Sequence, residues 1–293
     1  MISSMNVHSL MDVGCGRGIS TTWFLMHGVD ALCIEGSHDA WESSMLPSPQ
    51  AQMIEHDYSR GPWWPSRTYD AIWCVEFLEH VGRNFHQNYL PTFRKAALIF
   101  ATHSNWGGWH HVEVHRDDWW IAKMEMYGFR YHEKWTNHVR TLARTEKEKD
   151  GKAVKEEHLA PNDKPYNAQH VWLTMMVRES EGMGTEAEGE SMYSQMCACV
   201  FFSISFCLLM YSHTQVFVNP TVAALPEHAH LLYEPGCYQN REEGKLIQRD
   251  CGTGKHAEKE TPLPDSYKPL QITPEQDKEW HEWVKARLQL PEK

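Results

Sequence analysis

The stretch HSLMDVGCGRGISTTWFLMHGVD, residues 8–30, decides the fold class of this chain. A short apolar run, 8–13, is followed by the closely spaced glycines Gly14, Gly16 and Gly18. Glycine adopts backbone conformations that other residues avoid, so this cluster predicts a sharp turn in which the backbone can approach a ligand closely. From Ser20 onward the apolar residues recur at helical spacing. The stretch therefore predicts a strand, a glycine-rich turn and a helix.

The next apolar run, VDALCIEG at 29–36, predicts a second strand that ends at Glu35. In doubly wound sheets a carboxylate at this point binds the ribose hydroxyls of a nucleotide cofactor. A dinucleotide-binding turn has the spacing G-x-G-x-x-G, whereas here the third glycine comes early and position 19 is Ile19. This spacing disfavours a nicotinamide-dependent dehydrogenase, and so does the lack of a Tyr-x-x-x-Lys pair after the fourth predicted strand. Such a dehydrogenase stays as a less favoured alternative.

The GCGRG turn resembles motif I of the class I S-adenosylmethionine-dependent methyltransferases. Later segments match this family in order: a third strand at 53–59, a fourth strand and its following segment at 69–81, a fifth strand at 94–104, and a helix and strand at 117–132. GGWHHVEVHRDDWW, 107–120, is similar to type 11/type 23 methyltransferase-domain proteins. The resemblance covers residues 8–176. It implies an α/β fold with a doubly wound, mostly parallel seven-stranded sheet, S-adenosylmethionine as cofactor, and methyl transfer to an acceptor that we expect to be a small molecule.

The resemblance and the strand positions together nominate the cofactor-binding residues. They are Asp12, Gly14, Gly16, Gly18, Glu35, Asp57 and Glu76. In this family the acid at the end of the third strand, here Asp57, usually meets the adenine amino group. We expect Asp12 to order the glycine turn through backbone N–H groups. An ordinary strand–helix turn and solvated strand-end acids are the alternative explanation for these residues.

Methyl transfer requires an acceptor held in line with the methyl group and shielded from water, and it requires a base only when the acceptor carries a proton. His80, His110 and His111 are the candidate catalytic residues, because they follow predicted strands on the cofactor side. In an extended HHVEVH segment, His111, Glu113 and His115 would share one face and could hold a metal. No further ligand cluster supports a metal, so we expect none. Since no obligatory catalytic residue is visible, a non-catalytic S-adenosylmethionine-binding protein is the main alternative.

Composition narrows the class of protein further. The net charge of −11 and the lack of a basic stripe argue against a nucleic-acid partner. Eight cysteines without CxxC spacing favour reduced thiols. No signal sequence opens the chain, so we expect a cytoplasmic protein.

We predict three regions: a methyltransferase domain at 1–176, an insert at 177–215, and an irregular C-terminal tail at 221–293 with a terminal helix capped by Thr273. The insert splits a predicted strand, because HVWLTMM at 170–176 and VFVNP at 216–220 would otherwise run together. It opens with Val-Arg and closes with a Phe-, Ser- and Leu-rich run ending at Gln215, as a translated intron would. We therefore hypothesise a retained intron. The rival is a membrane anchor at 196–211, which falls short of the roughly 20 residues that span a bilayer.

Overall fold

The computed structural model describes residues 2–108, 110–143, 148–149, 152–153, 214–232, 237–242, 245–249, 256–262 and 273–288. The predicted strand at 170–176, the possible anchor at 196–211 and all but the end of the 177–215 insert lie outside the described residues.

The described elements alternate between strands and helices over the first half of the chain. They are α1 Ile2–Met5, β1 Ser9–Val13, α2 Ile19–Met26, β2 Asp30–Glu35, α3 His38–Glu42, α4 Pro49–Gln52, β3 Met53–Glu55, β4 Tyr69–Cys74, α5 His86–Phe93, β5 Ala96–Ala101, α6 Asp117–Met126, β6 Arg130–Tyr131 and α7 Glu133–Ala143. They continue with a small hairpin, β7 Glu148–Lys149 and β8 Lys152–Ala153, and then β9 Gln215–Val218, α8 Pro220–Ala223, β10 Cys237–Glu242, β11 Lys245–Arg249, β12 His256–Pro262 and α9 Pro274–Leu288.

The main sheet has seven strands in the order β3-β2-β1-β4-β5-β9-β6. β1 to β5 pair in parallel with one another, and β9 runs antiparallel to both β5 and β6. The order reverses between β1 and β4, which is the switch point where open α/β sheets bind their ligands. The predicted doubly wound, mostly parallel seven-stranded sheet is confirmed.

Apolar side chains cover both faces of this sheet, as its parallel strands require. Successive residues of β5 alternate between two clusters: Leu98 and Phe100 join one, Ile99 and Ala101 the other. Trp23 of α2 packs in the first cluster, and helices α5 and α6 supply aromatic side chains to the second. The two clusters hold the strand ends rigidly, which fixes the loops that follow them.

Strand β9 lies in the centre of the antiparallel half of the sheet. Its four residues are all buried, and its register pairs Gln215 with Ala101 and Val218 with Leu98. The side chain of Gln215 also donates to the Asp117 carbonyl, at 3.1 Å. Residues 216–218 of the segment 216–220, which the sequence predicts to complete the last strand, thus lie in a core strand together with Gln215, which the prediction placed in the insert.

The C-terminal region contains regular structure that the sequence did not predict, because β10, β11 and β12 form an antiparallel sheet. The predicted terminal helix is α9. Its Thr273 hydroxyl accepts from the Gln276 N–H, and the Gln276 side chain accepts from the Thr273 N–H in return. Trp280 is fully buried and donates to the Ile19 carbonyl at 3.2 Å, so α9 docks on α2. Among the helices that the structure describes, none is both long and apolar enough to cross a membrane.

Candidate functional site

The glycine turn follows β1 at the switch point of the sheet. Gly14, Gly16 and Gly18 have φ of +76°, +54° and +83°, the left-handed region that favours glycine. A Cβ on Gly14 would lie 2.9 Å from Phe77, and one on Gly18 would lie 2.8 Å from Leu46. A Cβ on Gly16 would meet no heavy atom within 4 Å apart from its chain neighbours. Gly14 and Gly18 are therefore required by the protein's own packing, whereas Gly16 borders open space.

Glu35 joins the loops that follow β1 and β2. One of its carboxylate oxygens accepts from the Gly16 N–H at 2.8 Å, and the other accepts from the Ser37 N–H at 2.9 Å. Each carboxylate oxygen has two lone pairs, so both retain capacity to accept a hydrogen bond from a ligand hydroxyl. The Glu35 carboxylate therefore orients the glycine turn and places a hydrogen-bond acceptor at its edge.

Asp12 is buried in β1, and its carboxylate accepts from the Thr21 hydroxyl of α2 at 2.7 Å. Burial, with a smaller contribution from the nearby Glu35 charge, raises the pKa of Asp12 to about 7, although the Thr21 hydrogen bond opposes the shift. The sequence prediction had Asp12 ordering the turn through backbone N–H groups. In the structure the turn N–H that meets a carboxylate is that of Gly16, and its partner is Glu35.

Asp57 follows β3 and begins a short 3₁₀ turn. Its carboxylate accepts from both the backbone N–H and the hydroxyl of Ser59, each at 2.8 Å, and lies 3.3 Å from Arg60. Partial burial opposes ionisation, but these hydrogen bonds and the Arg60 charge hold the pKa of Asp57 below its usual value. A Cβ on Gly36 would lie 3.2 Å from the Asp57 Cα, so the loops after β2 and β3 are in contact.

Glu76, His80 and His111 come together at the end of β4. Each offers a ligand atom that lies within 4.8 Å of the others, and the two imidazole rings meet edge-on with centroids 5.0 Å apart. Glu76 has a φ of +56°, rare for a residue with a side chain, and its N–H donates to the Thr102 hydroxyl. The 3₁₀ turn Leu78–His80 supplies His80.

Two carboxylates in this region are poorly solvated. Glu79 is fully buried, and burial together with the neighbouring Glu76 raises its pKa well above the ordinary value. Burial also raises the pKa of Glu76 to about 7. Partial burial, and next the adjacent His111 ring, lower the pKa of His80, which favours a neutral imidazole near pH 7.

Comparison with known proteins identifies this part of the chain. Residues 11–97, which contain the glycine turn, β2 to β4 and the Glu76–His80 segment, match the protein family described as "Methyltransferase domain". These residues, less than a third of the chain, are similar to methyltransferase domains. The resemblance predicted from the sequence is confirmed, and S-adenosylmethionine is the cofactor that this resemblance implies.

Individual relatives of the methyltransferase domain are distant. Sphingolipid C9-methyltransferase of Candida albicans is 31% identical over 115 residues, which make up 33% of this chain and only 22% of that protein. The methyltransferase domain of bacterial CtHen1 is 18% identical with a TM-score of 0.35, covering 43% of this chain and 80% of that one. A TehB-like methyltransferase of Corynebacterium glutamicum is 17% identical with a TM-score of 0.35, covering 43% and 67%. Magnesium protoporphyrin IX methyltransferase of Synechocystis, solved with bound S-adenosylhomocysteine, is 12% identical with a TM-score of 0.34, covering 44% and 66%.

Among the predicted site residues, two groups form at the carboxyl ends of the strands. Gly16 and Glu35 are hydrogen-bonded to each other, and Glu76 lies with His80 and His111. His110 contributes its backbone carbonyl, which lies 3.1 Å from Nδ1 of His80, while its side chain is exposed. The sequence prediction assigned no site role to the buried Glu79, although its position within the EFLEH segment, 76–80, signals it.

The extended face expected for His111, Glu113 and His115 does not form as predicted. Glu113 is buried and accepts from the guanidinium of Arg83 at 2.8 Å and from His115. Although burial opposes it, these partners lower the pKa of Glu113 to about 2. His111 lies against His80 instead, and Glu113 forms an ion pair with Arg83 beside His115.

A disulfide joins Cys15 of the glycine turn to Cys33 of β2, with the Cα atoms 5.6 Å apart. The expectation of reduced thiols is wrong for this pair. Spacing along the sequence gave no signal of it, because the two cysteines become neighbours only when β1 and β2 pair.

Proposed function

We propose that the chain binds S-adenosylmethionine at the carboxyl ends of β1, β2 and β3 and transfers a methyl group to a small-molecule acceptor. The observation that carries the proposal is the position of Gly16. Its N–H is held by Glu35, whereas its Cβ position faces open space. A turn of this kind lets a ligand approach the backbone more closely than any side chain would allow.

The cofactor-binding residues follow from this placement. We assign that role to Asp12, Gly14, Gly16, Gly18, Glu35 and Asp57, of which Asp12, Gly14 and Gly18 shape the turn from within the protein. Glu76 lies at the boundary to the acceptor side. Glu35 holds the turn and has lone pairs left for ribose hydroxyls. Asp57 is anchored by Ser59 beside the loop after β2, and the family resemblance makes it the acid that would meet the adenine amino group. Asp12 acts indirectly, because its carboxylate accepts a hydrogen bond from Thr21 in the helix that follows the turn.

When bound, S-adenosylmethionine supplies an electrophilic methyl group on a sulfonium sulfur. The residues of the chain have to position the acceptor, exclude water and, for a hydroxyl acceptor, take up its proton. We assign that side of the site to His80 and His111. Nδ1 of each lies 3.1 Å from a backbone carbonyl, so Nδ1 carries the hydrogen and Nε2 has the lone pair. His110 orients His80 through its carbonyl and is a positioning residue.

Calorimetry with S-adenosylhomocysteine and with NAD tests the cofactor. We expect heat of binding with the first and none with the second; the opposite result would favour the dehydrogenase alternative. Transfer of labelled methyl to a panel of small metabolites and lipids then tests catalysis. Lipids belong in the panel because the Candida albicans relative is a sphingolipid methyltransferase by name. Binding without turnover on any acceptor would favour a non-catalytic binding protein.

A further inference from the structure

The cluster of Glu76, His80 and His111 has the composition and spacing of a metal centre. One ligand atom of each residue lies within 4.8 Å of the others. The Glu79 carbonyl accepts from the N–H groups of Val112 and Glu113, at 2.8 and 3.1 Å. These two hydrogen bonds tie the turn that carries His80 to the segment that carries His111. The positions of the two imidazoles are therefore set before any ligand arrives.

Both histidines are oriented as metal ligands usually are. Nδ1 of His80 lies 3.1 Å from the His110 carbonyl oxygen, and Nδ1 of His111 lies 3.1 Å from the Trp106 carbonyl oxygen. A carbonyl oxygen only accepts hydrogen bonds, so each Nδ1 bears the hydrogen and each Nε2 is left with a lone pair. Metal-bound histidines almost always donate their second ring nitrogen to a carbonyl or carboxylate in this way.

The carboxylates give an independent reason to expect a cation. Oε1 of Glu76 and both oxygens of the fully buried Glu79 are inaccessible to solvent and have no hydrogen-bond partner outside their own residues among the described residues. Buried carboxylate oxygens without a donor are costly, and a bound cation removes that cost. Glu76 is also held at a φ of +56°, a strained conformation of the kind found at ligand sites.

A second cluster of possible metal ligands differs from this one, because its carboxylate already has hydrogen-bond donors. His8, Asp70 and His230 also lie within ligand distance of one another. There, however, Asp70 already accepts from the N–H groups of His8 and Ser9, at 2.8 and 3.1 Å. It accepts from the rings of His228 and His230 as well, at 2.7 and 2.9 Å. Its oxygens are satisfied without a metal, so that cluster is structural.

We propose that Glu76, His80 and His111 bind a divalent first-row transition cation, with the carboxylate of Glu79 behind them. Two imidazoles and a carboxylate are the donors that zinc and manganese accept, whereas magnesium prefers oxygen ligands alone. Three protein ligands leave coordination positions open, as in catalytic rather than structural sites. The open positions would take an oxygen of the methyl acceptor, a role that rests on the proposed function. His80 and His111 would then act as metal ligands instead of free bases.

The test uses full-length protein without an affinity tag, stripped with chelator, dialysed and titrated with Mn²⁺ alone while electron paramagnetic resonance reports free Mn²⁺. We expect one Mn²⁺ per chain, and at least about tenfold weaker binding in His111→Ala and in Glu76→Gln. His38→Ala is the matched control, because it removes an exposed imidazole that lies outside this cluster; it should bind Mn²⁺ as wild type does. Circular dichroism melts verify that each variant is folded.

Three results would overturn the proposal: no stoichiometric Mn²⁺ binding by the folded wild type, unchanged affinity in both His111→Ala and Glu76→Gln, or an equal loss in His38→Ala. Titration of the same metal-free protein with S-adenosylhomocysteine separates this proposal from the proposed function. Cofactor-product binding without Mn²⁺ binding refutes only the metal centre. Mn²⁺ binding that the variants weaken, without cofactor-product binding, supports the metal centre and refutes only the methyltransferase function.

Discussion

A glycine in the turn after β1 can have two roles: it can let a ligand approach the backbone, or it can let the chain turn sharply. Substituting Gly16 by alanine separates these two roles. The added methyl group would meet no heavy atom within 4 Å apart from the chain neighbours. The remaining cost to folding is the left-handed backbone, φ +54°, which destabilises a residue with a Cβ by about 1–2 kcal/mol. We therefore expect a folded variant whose free energy of unfolding falls by that amount.

The same variant should bind the cofactor more weakly. The methyl group occupies the space into which we place S-adenosylmethionine, and forcing an extra methyl group into a packed contact costs about 1–3 kcal/mol. The Kd for S-adenosylhomocysteine should then rise on the order of 5- to 150-fold. Isothermal calorimetry measures this directly, and urea unfolding measures the stability of the same sample.

Gly18→Ala is the control, because its methyl group points into the protein. It combines a φ of +83° with a Cβ position 2.8 Å from Leu46, so overpacking adds about 1–3 kcal/mol to the backbone cost. We expect Gly18→Ala to lose clearly more stability than Gly16→Ala. Wild-type affinity in folded Gly16→Ala would refute our placement of the cofactor, and equal stability of the two variants would refute the packing argument.

Three further predictions concern the scaffold. Asp70→Asn should lower the free energy of unfolding by at least about 1–3 kcal/mol, because an amide donor replaces an acceptor oxygen among four donors. Burial opposes ionisation of Asp70, but hydrogen bonds hold its folded pKa below the unfolded value. The stability difference should therefore be full above about pH 4 and shrink as the pH falls further, in urea titrations across pH. Trp280→Ala should cost about 3–5 kcal/mol, whereas Trp64→Ala, whose side chain is 53% exposed, should change the melting curve little. Deleting 177–215 joins Met176 to Val216; under the retained-intron hypothesis the shortened protein should be more soluble than the full chain, and transcripts lacking these codons should exist, so their absence from sequenced messages would contradict the hypothesis.

Much of the fold was predictable from local sequence. The apolar run at 8–13, the three glycines and the helical spacing after Ser20 became β1, the turn and α2. The Thr273-Pro274 start predicted α9 because a helix cap depends on residues a few positions apart. Such features follow from short-range sterics and hydrogen bonding, which a linear reading of residues captures. The order of these elements was enough to indicate the methyltransferase domain.

The contacts that make up the site depend on tertiary structure. His80 and His111 come from different loops and meet because Glu79 hydrogen-bonds to Val112 and Glu113. Cys15 reaches Cys33, and Glu35 reaches Gly16, because β1 and β2 pair side by side. Alternation along HHVEVH, 110–115, predicted that His111 shares a face with Glu113 and His115. This was wrong, because Glu113 is hydrogen-bonded to Arg83 instead. Residue spacing along a chain sets which side chains can share a local face, but packing between distant segments decides which of them touch.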